Sequence, residues 1–204
     1  MKMKLFICLI ICLCAGQSFA DYIIFEDNFD SYSPGLNWAG STNWTITDGT
    51  VDIIGDGSSW PYYPTGHGLY VDLDGSTSTS GTMLSLALNL TEGTSYKLSY
   101  ELAGNHVPLD GYLSDDVDVV LLQGNTVINT MHYTLLKNDS FQEYTYTFTA
   151  IDSDNYYLKF IQYGNDNVGA LLDNVKMAVV PVPATILLGL LGLGIGGWKL
   201  RKSM

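Results

Sequence analysis

The stretch Tyr96-Lys97-Leu98-Ser99-Tyr100-Glu101-Leu102 alternates between large apolar and polar side chains. Successive side chains of a β-strand point to opposite faces, so its tyrosines and leucines share one face. The segment Tyr144–Phe148 repeats the alternation with aromatic residues and threonines, and the segment Val117–Leu121 repeats it with valine and leucine. Each segment therefore predicts a strand with one buried face and one wetter face.

Short β-rich runs of this kind recur along the chain, separated by Gly, Asn, Asp, Ser and Thr, which favour turns. Residues that favour helices are scarce in this region. Many short strands at close spacing indicate two packed sheets. We therefore predict an all-β, jelly-roll β-sandwich of two antiparallel sheets. The predicted strands are Tyr22–Phe25, Trp44–Thr47, Val51–Ile54, Gly68–Leu73, Thr82–Leu88, Ser95–Ala103, Asp116–Gln123, Thr126–Tyr133, Gln142–Thr149, Asn155–Tyr163 and Ala170–Val179.

The N-terminal segment MKMKLFICLIICLCAGQSFA differs from the rest of the chain. Lys2 and Lys4 precede the apolar run Leu5–Ala15, and Ser18-Phe19-Ala20 follows as a cleavage site with small residues. This order predicts a secretory signal peptide over residues 1–20. All three cysteines lie inside the segment, so we expect a mature chain without disulfides and without a thiol nucleophile.

The middle of the chain is strongly acidic. Residues 21–178 hold all 21 acidic residues and four lysines, a net charge of −17 with histidine neutral. Such a surface repels nucleic acid, so no nucleic-acid partner is expected. Carboxylates are also the ligands that Ca²⁺ prefers, although solubility alone is the simpler interpretation for most of them.

The C-terminal segment is apolar and ends in basic residues. Pro181 and Pro183 disfavour continuation of a strand, Ala184–Trp198 is apolar, and a basic cluster follows. The uncharged run is long enough to span a bilayer as a helix, with its positive flank on the cytoplasmic side. We therefore predict three regions: a signal peptide (1–20), a β-sandwich domain (21–178) and a C-terminal transmembrane helix with a basic tail (179–204).

The order of motif, apolar span and basic end resembles the PEP-CTERM protein-sorting signal of exported bacterial proteins. Val182 stands where the commonest form of the motif has glutamate. The resemblance implies processing by an exosortase-type membrane protease, with the helix anchoring the protein in the cell envelope beforehand and the product reaching the cell surface or extracellular matrix. The residues that carry it are Val180, Pro181, Val182, Pro183, Ala184, Lys199, Arg201 and Lys202.

The predicted sandwich resembles galactose-binding-like and carbohydrate-binding-module-like jelly rolls. The resemblance rests on four segments, Asn43–Asp52, Gly68–Ser76, Leu98–Asn105 and Gly169–Val175. Because this fold hosts many unrelated functions, it argues for architecture more than for a ligand.

In such jelly rolls a structural Ca²⁺ often lies where the first and last strands meet. The resemblance thus makes Asp173 a candidate Ca²⁺ ligand, together with Asp27 and Asp30. The alternative is that Asp27 and Asp30 cap a turn and Asp173 begins a bulge in the last strand. The segment Asp72–Ser76 also resembles a fragment of a calcium loop, but we interpret it as a strand that ends in a solvated turn.

Aromatic residues in one proline-containing loop are candidates for sugar binding. Two prolines hold the segment Trp60–His67 out of regular strand structure. Aromatic faces with polar groups nearby are a common way to bind sugars. The alternative is that Trp60 folds back over the edge of the sandwich. The candidate ligand-binding residues are Trp60, Tyr62 and Tyr63, with His106 and Tyr112 from a second loop.

The sequence gives little indication of catalysis. The three histidines lie in different segments, and the chain has no HExxH, no GxSxG and no nucleotide-binding glycine loop. The segment Asp115–Asp118 could supply paired carboxylates for glycoside cleavage, but we interpret it as a solvated entry to a strand. We predict a non-enzymatic exported protein with a structural or adhesive role and polysaccharide binding. The alternatives are a dedicated carbohydrate-binding module with a defined glycan and, less favoured, a glycan-active hydrolase.

Overall fold

Twelve strands and no helix occur in the part of the chain that the computed structural model describes, residues 22–58, 64–77, 79–108, 111–164 and 166–181. The predicted signal peptide and most of the predicted sorting signal lie outside these residues. Residues Ile23–Val179 belong to one compact unit. The strands are β1 (Tyr22–Asp27), β2 (Trp44–Asp48), β3 (Asp52–Gly55), β4 (Leu69–Asp72), β5 (Thr82–Ser85), β6 (Leu88–Asn89), β7 (Ser95–Ala103), β8 (Ser114–Gln123), β9 (Thr126–Leu136), β10 (Gln142–Thr149), β11 (Asn155–Tyr163) and β12 (Leu171–Val179).

The strands form two six-stranded sheets, which we call sheet A and sheet B. Sheet A has the order β10-β7-β12-β4-β3, with β1 paired to β12. Sheet B has the order β2-β5-β11-β8-β9, with β6 paired to β11. Neighbouring strands along both paths are antiparallel. The predicted fold class, an all-β jelly-roll sandwich, is therefore confirmed.

The buried faces are those that the alternation predicts. On β7, Leu98, Tyr100 and Leu102 are fully buried, and on β8 Val117 and Val119 are as well. Facing residues from the two sheets form one apolar cluster. Burial of apolar surface at about 25 cal/mol per Å² is the main term that holds the sheets together.

Aromatic rings connect the two sheets through the centre of the core. The Trp44 ring lies 5.4 Å from the Phe25 ring, edge to face, and 5.9 Å from the Phe160 ring. The Tyr100 ring of sheet A meets the Phe160 ring of sheet B at 5.7 Å. Edge-to-face pairs add roughly 0.5–1.5 kcal/mol each beyond area burial.

One predicted strand is divided in two. The run Thr82–Leu88 forms β5 and the short β6, because the chain leaves the ladder between them. There the Leu86 amide donates to the Asn43 carbonyl (2.7 Å), and the Ser85 hydroxyl donates to the Leu86 carbonyl (2.8 Å). Local side-chain bonding of serine competes with strand pairing in this way.

Two expectations about solvated acids are wrong. The turn after β4 is not solvated, since Asp72 and Asp74 are 2% and 0% exposed. Asp115 is not at a solvated strand entry either, because it lies within β8 and is buried. The physical reason is the same in both places: neighbouring loops cover this end of the sandwich and donate hydrogen bonds to the carboxylates.

No helix in the described part of the chain is long and apolar enough to cross a membrane. The predicted transmembrane helix falls on residues outside that part.

Candidate functional site

The loop that was predicted to bind sugar is described only at its end. Trp60, Tyr62 and Tyr63 lie outside the described residues. From Pro64 onward the loop is placed against β4, because the Tyr70 hydroxyl donates to the Pro64 carbonyl at 2.9 Å. This contact holds the end of the loop on the outer face of sheet A.

The other two predicted ligand residues, His106 and Tyr112, lie in the connection between β7 and β8. The His106 Nε2 atom lies 3.0 Å from the Asp139 carbonyl oxygen, and the His106 backbone has a φ of 55°. This contact links the connection to the loop after β9. Tyr112 is half-buried.

A row of polar and aromatic side chains crosses the outer face of sheet B, and sequence reasoning missed it as a unit. Its members are Tyr163 of β11, Asp116 and Asp118 of β8, and His132 and Thr134 of β9; we call it the polar row. Strand register places them together, since Asp118 pairs with His132, and Asp116 pairs with both Thr134 and Tyr163. Val117 and Val119 point into the core, so the two aspartates between and beside them point outward.

Hydrogen bonds connect the polar row across the three strands. The Tyr163 hydroxyl donates to Asp118 Oδ2 at 2.7 Å, and His132 Nδ1 lies 2.7 Å from Asp118 Oδ1. The Thr134 hydroxyl donates to Asp116 Oδ1 at 2.6 Å. The pKa of Tyr163 is raised, first by its hydrogen bond to Asp118, so the phenol remains a neutral donor.

The polar row is accessible. Tyr163 is 49% exposed, and the side chains of His132 and Asp116 are 58% and 50% exposed. The same face continues along β11 with half-buried Ile161, Lys159 and Tyr157. An exposed aromatic ring, held beside fixed donors and acceptors, can contact a sugar ring and hydrogen-bond its hydroxyls.

The outer face of sheet A carries a cluster of possible metal ligands that includes Asp173, one of the three residues predicted to bind Ca²⁺. Asp173 pairs with Glu101 across β12 and β7. Ligand atoms of Asp173, Glu101 and His67 all lie within 4.8 Å of one another. The His67 ring packs against the Phe141 ring, with centroids 4.4 Å apart and a tilt of 35° between the rings.

Asp173 is almost fully buried among like charges. The pKa of Asp173 is raised to about 7, first by burial and then by the negative charges of Glu101, Asp30 and Asp27, while the hydrogen bond from the Asn174 amide opposes the increase. The strand register shifts between Asp173 and Lys176, so Asp173 does begin a bulge. This bulge places Asn174 at a φ of 50°, where its Nδ2 donates to Glu101 Oε2 at 3.1 Å.

Asp27 closes a turn, as the alternative interpretation expects, whereas the Asp30 carboxylate contacts a distant segment. The Asp27 carboxylate accepts four hydrogen bonds, from the Phe29 amide and from the side chains of Tyr32, Asn43 and Trp44. Asp30 Oδ1 accepts from the Leu69 amide at 2.8 Å. Three of these bonds end on Oδ2 and one on Oδ1, so protein donors saturate Oδ2 and leave one acceptor position on Oδ1.

Comparison with known proteins gives structural neighbours only. No family model and no curated protein matches the chain. A cleaved adhesin domain of Lys-gingipain from Porphyromonas gingivalis matches with a TM-score of 0.52 and 13% identity, over 77% of this chain and 98% of that one. The tandem CBM22-1–CBM22-2 domain of Paenibacillus barcinonensis Xyn10C matches with a TM-score of 0.50 and 13% identity, over 81% of this chain and 48% of that one.

A third neighbour contains a catalytic module as well. It is the CBM22-1–GH10 structure of the Clostridium thermocellum xylanase 10B, with a TM-score of 0.47 and 15% identity over 79% of this chain. The chain spans only 29% of that structure and about half of the tandem domain. At these identities the first two neighbours support the fold alone: this chain has a jelly-roll sandwich similar to a tandem carbohydrate-binding domain and to an adhesin domain.

Proposed function

We propose that this domain is a non-enzymatic polysaccharide-binding sandwich and that the outer face of sheet B is its binding face. The observation that carries the proposal is the polar row, in which the half-buried Asp118 holds the exposed side chains of Tyr163 and His132 by hydrogen bonds across three strands. Prior hydrogen bonding fixes these side chains before a ligand arrives, which lowers the entropy lost on binding. The proposal is also in keeping with the fold that the chain shares with carbohydrate-binding modules.

The charge of the domain narrows the class of glycan. With 21 acids against four lysines in residues 21–178, the domain repels anionic polysaccharides at neutral pH. The two aspartates of the polar row add to this repulsion at the binding face itself. The ligand we propose is therefore a neutral polysaccharide.

Replacing Tyr163 by alanine should weaken binding to a neutral polysaccharide by about tenfold or more. The substitution removes both the aromatic face that stacks on a sugar ring and the hydrogen bond from the Tyr163 hydroxyl to Asp118. His132→Ala should have a similar effect. Tyr22, 71% exposed on β1 of the other sheet, gives the matched control Tyr22→Ala. The measurement is retardation of the purified chain in gels that contain xylan, galactan or mixed-linkage glucan. Equal retardation of Tyr163→Ala and Tyr22→Ala would contradict the proposal.

We propose that the loop residues Trp60, Tyr62 and Tyr63, with His106 and Tyr112, form a second aromatic contact for polysaccharide. The composition of the loop supports this, and so does the half-buried state of Tyr112. Trp60→Ala should reduce retardation in the gels that retard the wild type. Unchanged retardation would remove this contact and leave the polar row as the only proposed site.

We propose that Asp173 helps to hold a structural Ca²⁺. Ligand atoms of Asp173, Glu101 and His67 lie close enough together for one cation, and the carboxylates of Asp30 and Asp27 add negative charge around Asp173. When bound, the cation would neutralise carboxylates that repel one another. Titration of the chelator-treated chain with Ca²⁺ should give heat that Asp173→Asn abolishes, and absence of heat in the wild type would remove the site.

We propose that the C-terminal segment directs processing by an exosortase-type protease, and that the protein acts at the cell surface or in the extracellular matrix. The tripartite pattern of Pro181-Val182-Pro183, the apolar run and the basic end supports this proposal. Mass spectrometry of the exported protein should find a C-terminus near residues 180–183. An intact Met204 in exported material would contradict it.

A further inference from the structure

A recess of about 570 Å³ opens on the outer face of sheet A, on the opposite side of the sandwich from the polar row. Ser99 of β7, Lys176 of β12 and Glu143 of β10 line it from the sheet, and Glu26 of β1 lines it as well. Loop residues after β1 and before β2 complete the lining, and we call the whole the sheet A recess. Its volume is within the range of roughly 300–1,000 Å³ that is usual for ligand pockets.

Strand register and side-chain alternation turn the lining residues outward. Lys176 pairs with Ser99, and Ser99 pairs with Thr145 of β10. The neighbours of Ser99 in β7, Leu98 and Tyr100, are fully buried, so the Ser99 side chain points away from the core. Lys176 faces the same side, because directly paired residues share a face of a sheet. The recess is therefore built on paired strands, which hold its side chains in defined positions.

The Ser99 hydroxyl lies in the recess without a hydrogen-bond partner. Ser99 is only 8% exposed, yet its Oγ atom makes no hydrogen bond to any residue that the structure describes. A buried polar group without a partner is unfavourable, and such groups are rare in native proteins. Because Ser99 lines the recess, a ligand group placed there can bond to this hydroxyl.

The charged side chains of the recess are free in the same way. Among the described residues, Lys176, Glu26 and Glu143 form neither a side-chain hydrogen bond nor an ion pair. A carboxylate accepts hydrogen bonds, an ammonium group donates them, and a hydroxyl does both. The recess thus presents unused donors and acceptors together, and this mixture suits the hydroxyl groups of a sugar.

The charge of the lining distinguishes one class of sugar from another. Glu26, Asp27 and Glu143 contribute three carboxylates, against the single ammonium group of Lys176. A negative lining disfavours a uronic acid and favours a sugar that carries a free amine. The described part of the lining contains no aromatic side chain, so binding here depends on hydrogen bonds and charge rather than on stacking.

From these observations we propose that the sheet A recess is a second sugar-binding site, and that it takes an amino-sugar residue in preference to a neutral or an acidic one. The amine of the sugar lies near Glu26 and Glu143, and its hydroxyl groups bond to Ser99 and Lys176. The site differs from the polar row in its location and in the charge of its ligand, and it does not depend on the function proposed for that row.

The test is isothermal titration of the full chain with three trisaccharides, in EDTA and at about pH 6, where amines are charged and carboxylates ionised. The probes are the β-1,4-linked glucosamine trimer, cellotriose, which carries a hydroxyl in place of each amine, and the galacturonic acid trimer. The glucosamine trimer should bind at least about fivefold more tightly than cellotriose, and the acidic trimer should bind most weakly. Failure of the glucosamine trimer to bind more tightly than cellotriose would overturn the proposal.

Variants locate the binding. Ser99→Ala and Glu143→Gln should each weaken binding of the glucosamine trimer at least about fivefold. Glu92→Gln is the matched control, because Glu92 is exposed and outside the recess, and it should keep the wild-type affinity. Ser99→Ala should keep the wild-type Tm within about 2 °C, since the hydroxyl has no described partner to lose. Wild-type affinity in both Ser99→Ala and Glu143→Gln would overturn the proposal.

Two further measurements separate this site from the polar row. Tyr163→Ala should bind the glucosamine trimer as the wild type does, and Ser99→Ala should keep the wild-type retardation in gels of neutral polysaccharide. In NMR spectra of the wild type, the glucosamine trimer should shift the amide signals of Ser99 and Lys176 and leave that of Tyr163 in place. Shifts confined to Tyr163 and its neighbours would place the amino sugar on the polar row and overturn the proposal.

Discussion

Replacing Asp27 by alanine should lower the free energy of unfolding by about 3–5 kcal/mol. Its carboxylate accepts hydrogen bonds from the Phe29 amide, the Tyr32 hydroxyl (2.7 Å), Asn43 Nδ2 (3.1 Å) and Trp44 Nε1 (3.0 Å). Truncation leaves all four donors without their acceptor, and the Trp44 ring that carries one of them is 1% exposed. Because Trp44 is central to the aromatic core, water cannot readily replace the carboxylate.

Chemical denaturation in urea measures this effect, with Asp48→Ala as the control. Asp48 is exposed, and its described side-chain contact is to the adjacent Gly49 amide at 2.9 Å, so its removal should change stability by about 0.5 kcal/mol or less. Asp27→Asn, which keeps one carbonyl acceptor, should fall between the two. A loss below about 1 kcal/mol in Asp27→Ala would show that Asp27 does not organise this part of the core.

The second prediction concerns how the free energy of unfolding changes with pH in the absence of divalent cations. Burial raises the pKa of both Asp115 and Asp173 to about 7, whereas an unfolded aspartate titrates near about 3.9. Between these values the folded state holds protons that the unfolded state has released. The contribution of the two groups to stability is therefore complete below about pH 4 and is lost as the pH rises through 7.

Each group can contribute up to about 4 kcal/mol, since one pKa unit corresponds to about 1.4 kcal/mol. Urea denaturation in EDTA should thus give a free energy of unfolding that declines from pH 4.5 to pH 7.5. Asp115→Asn and Asp173→Asn should each flatten part of this slope, and Asp152→Asn should leave it unchanged. A stability that rises steadily over the same interval would contradict the two raised pKa values. Added Ca²⁺ should oppose the part of the decline that Asp173 causes if a cation occupies the site proposed there.

Local sequence pattern predicted much of the fold but less of the candidate sites. The alternation in Tyr96–Leu102 correctly assigned Leu98, Tyr100 and Leu102 to the core, because the two-residue period of a strand is a local property. The turn composition likewise located most strands. The division between β5 and β6 was missed, because it depends on a hydrogen bond from Leu86 to Asn43 in a distant segment.

The solvation of acidic residues was harder to predict than their position. Asp74 follows a strand and precedes a glycine, which locally is typical of an exposed turn. Its burial depends on the loop after β11, which approaches it from 92 residues away in sequence. A single sequence contains no local signal for which loop covers which turn.

By itself, the sequence determined the all-β class, the faces of the strands and the expectation of an exported, acidic protein. Only the tertiary structure decided that Tyr163, Asp118 and His132 form one hydrogen-bonded row and that Asp74 and Asp115 are buried. The reason is that side-chain alternation is set within a strand, whereas the order β11-β8-β9 and the register between strands are set by packing of the whole core.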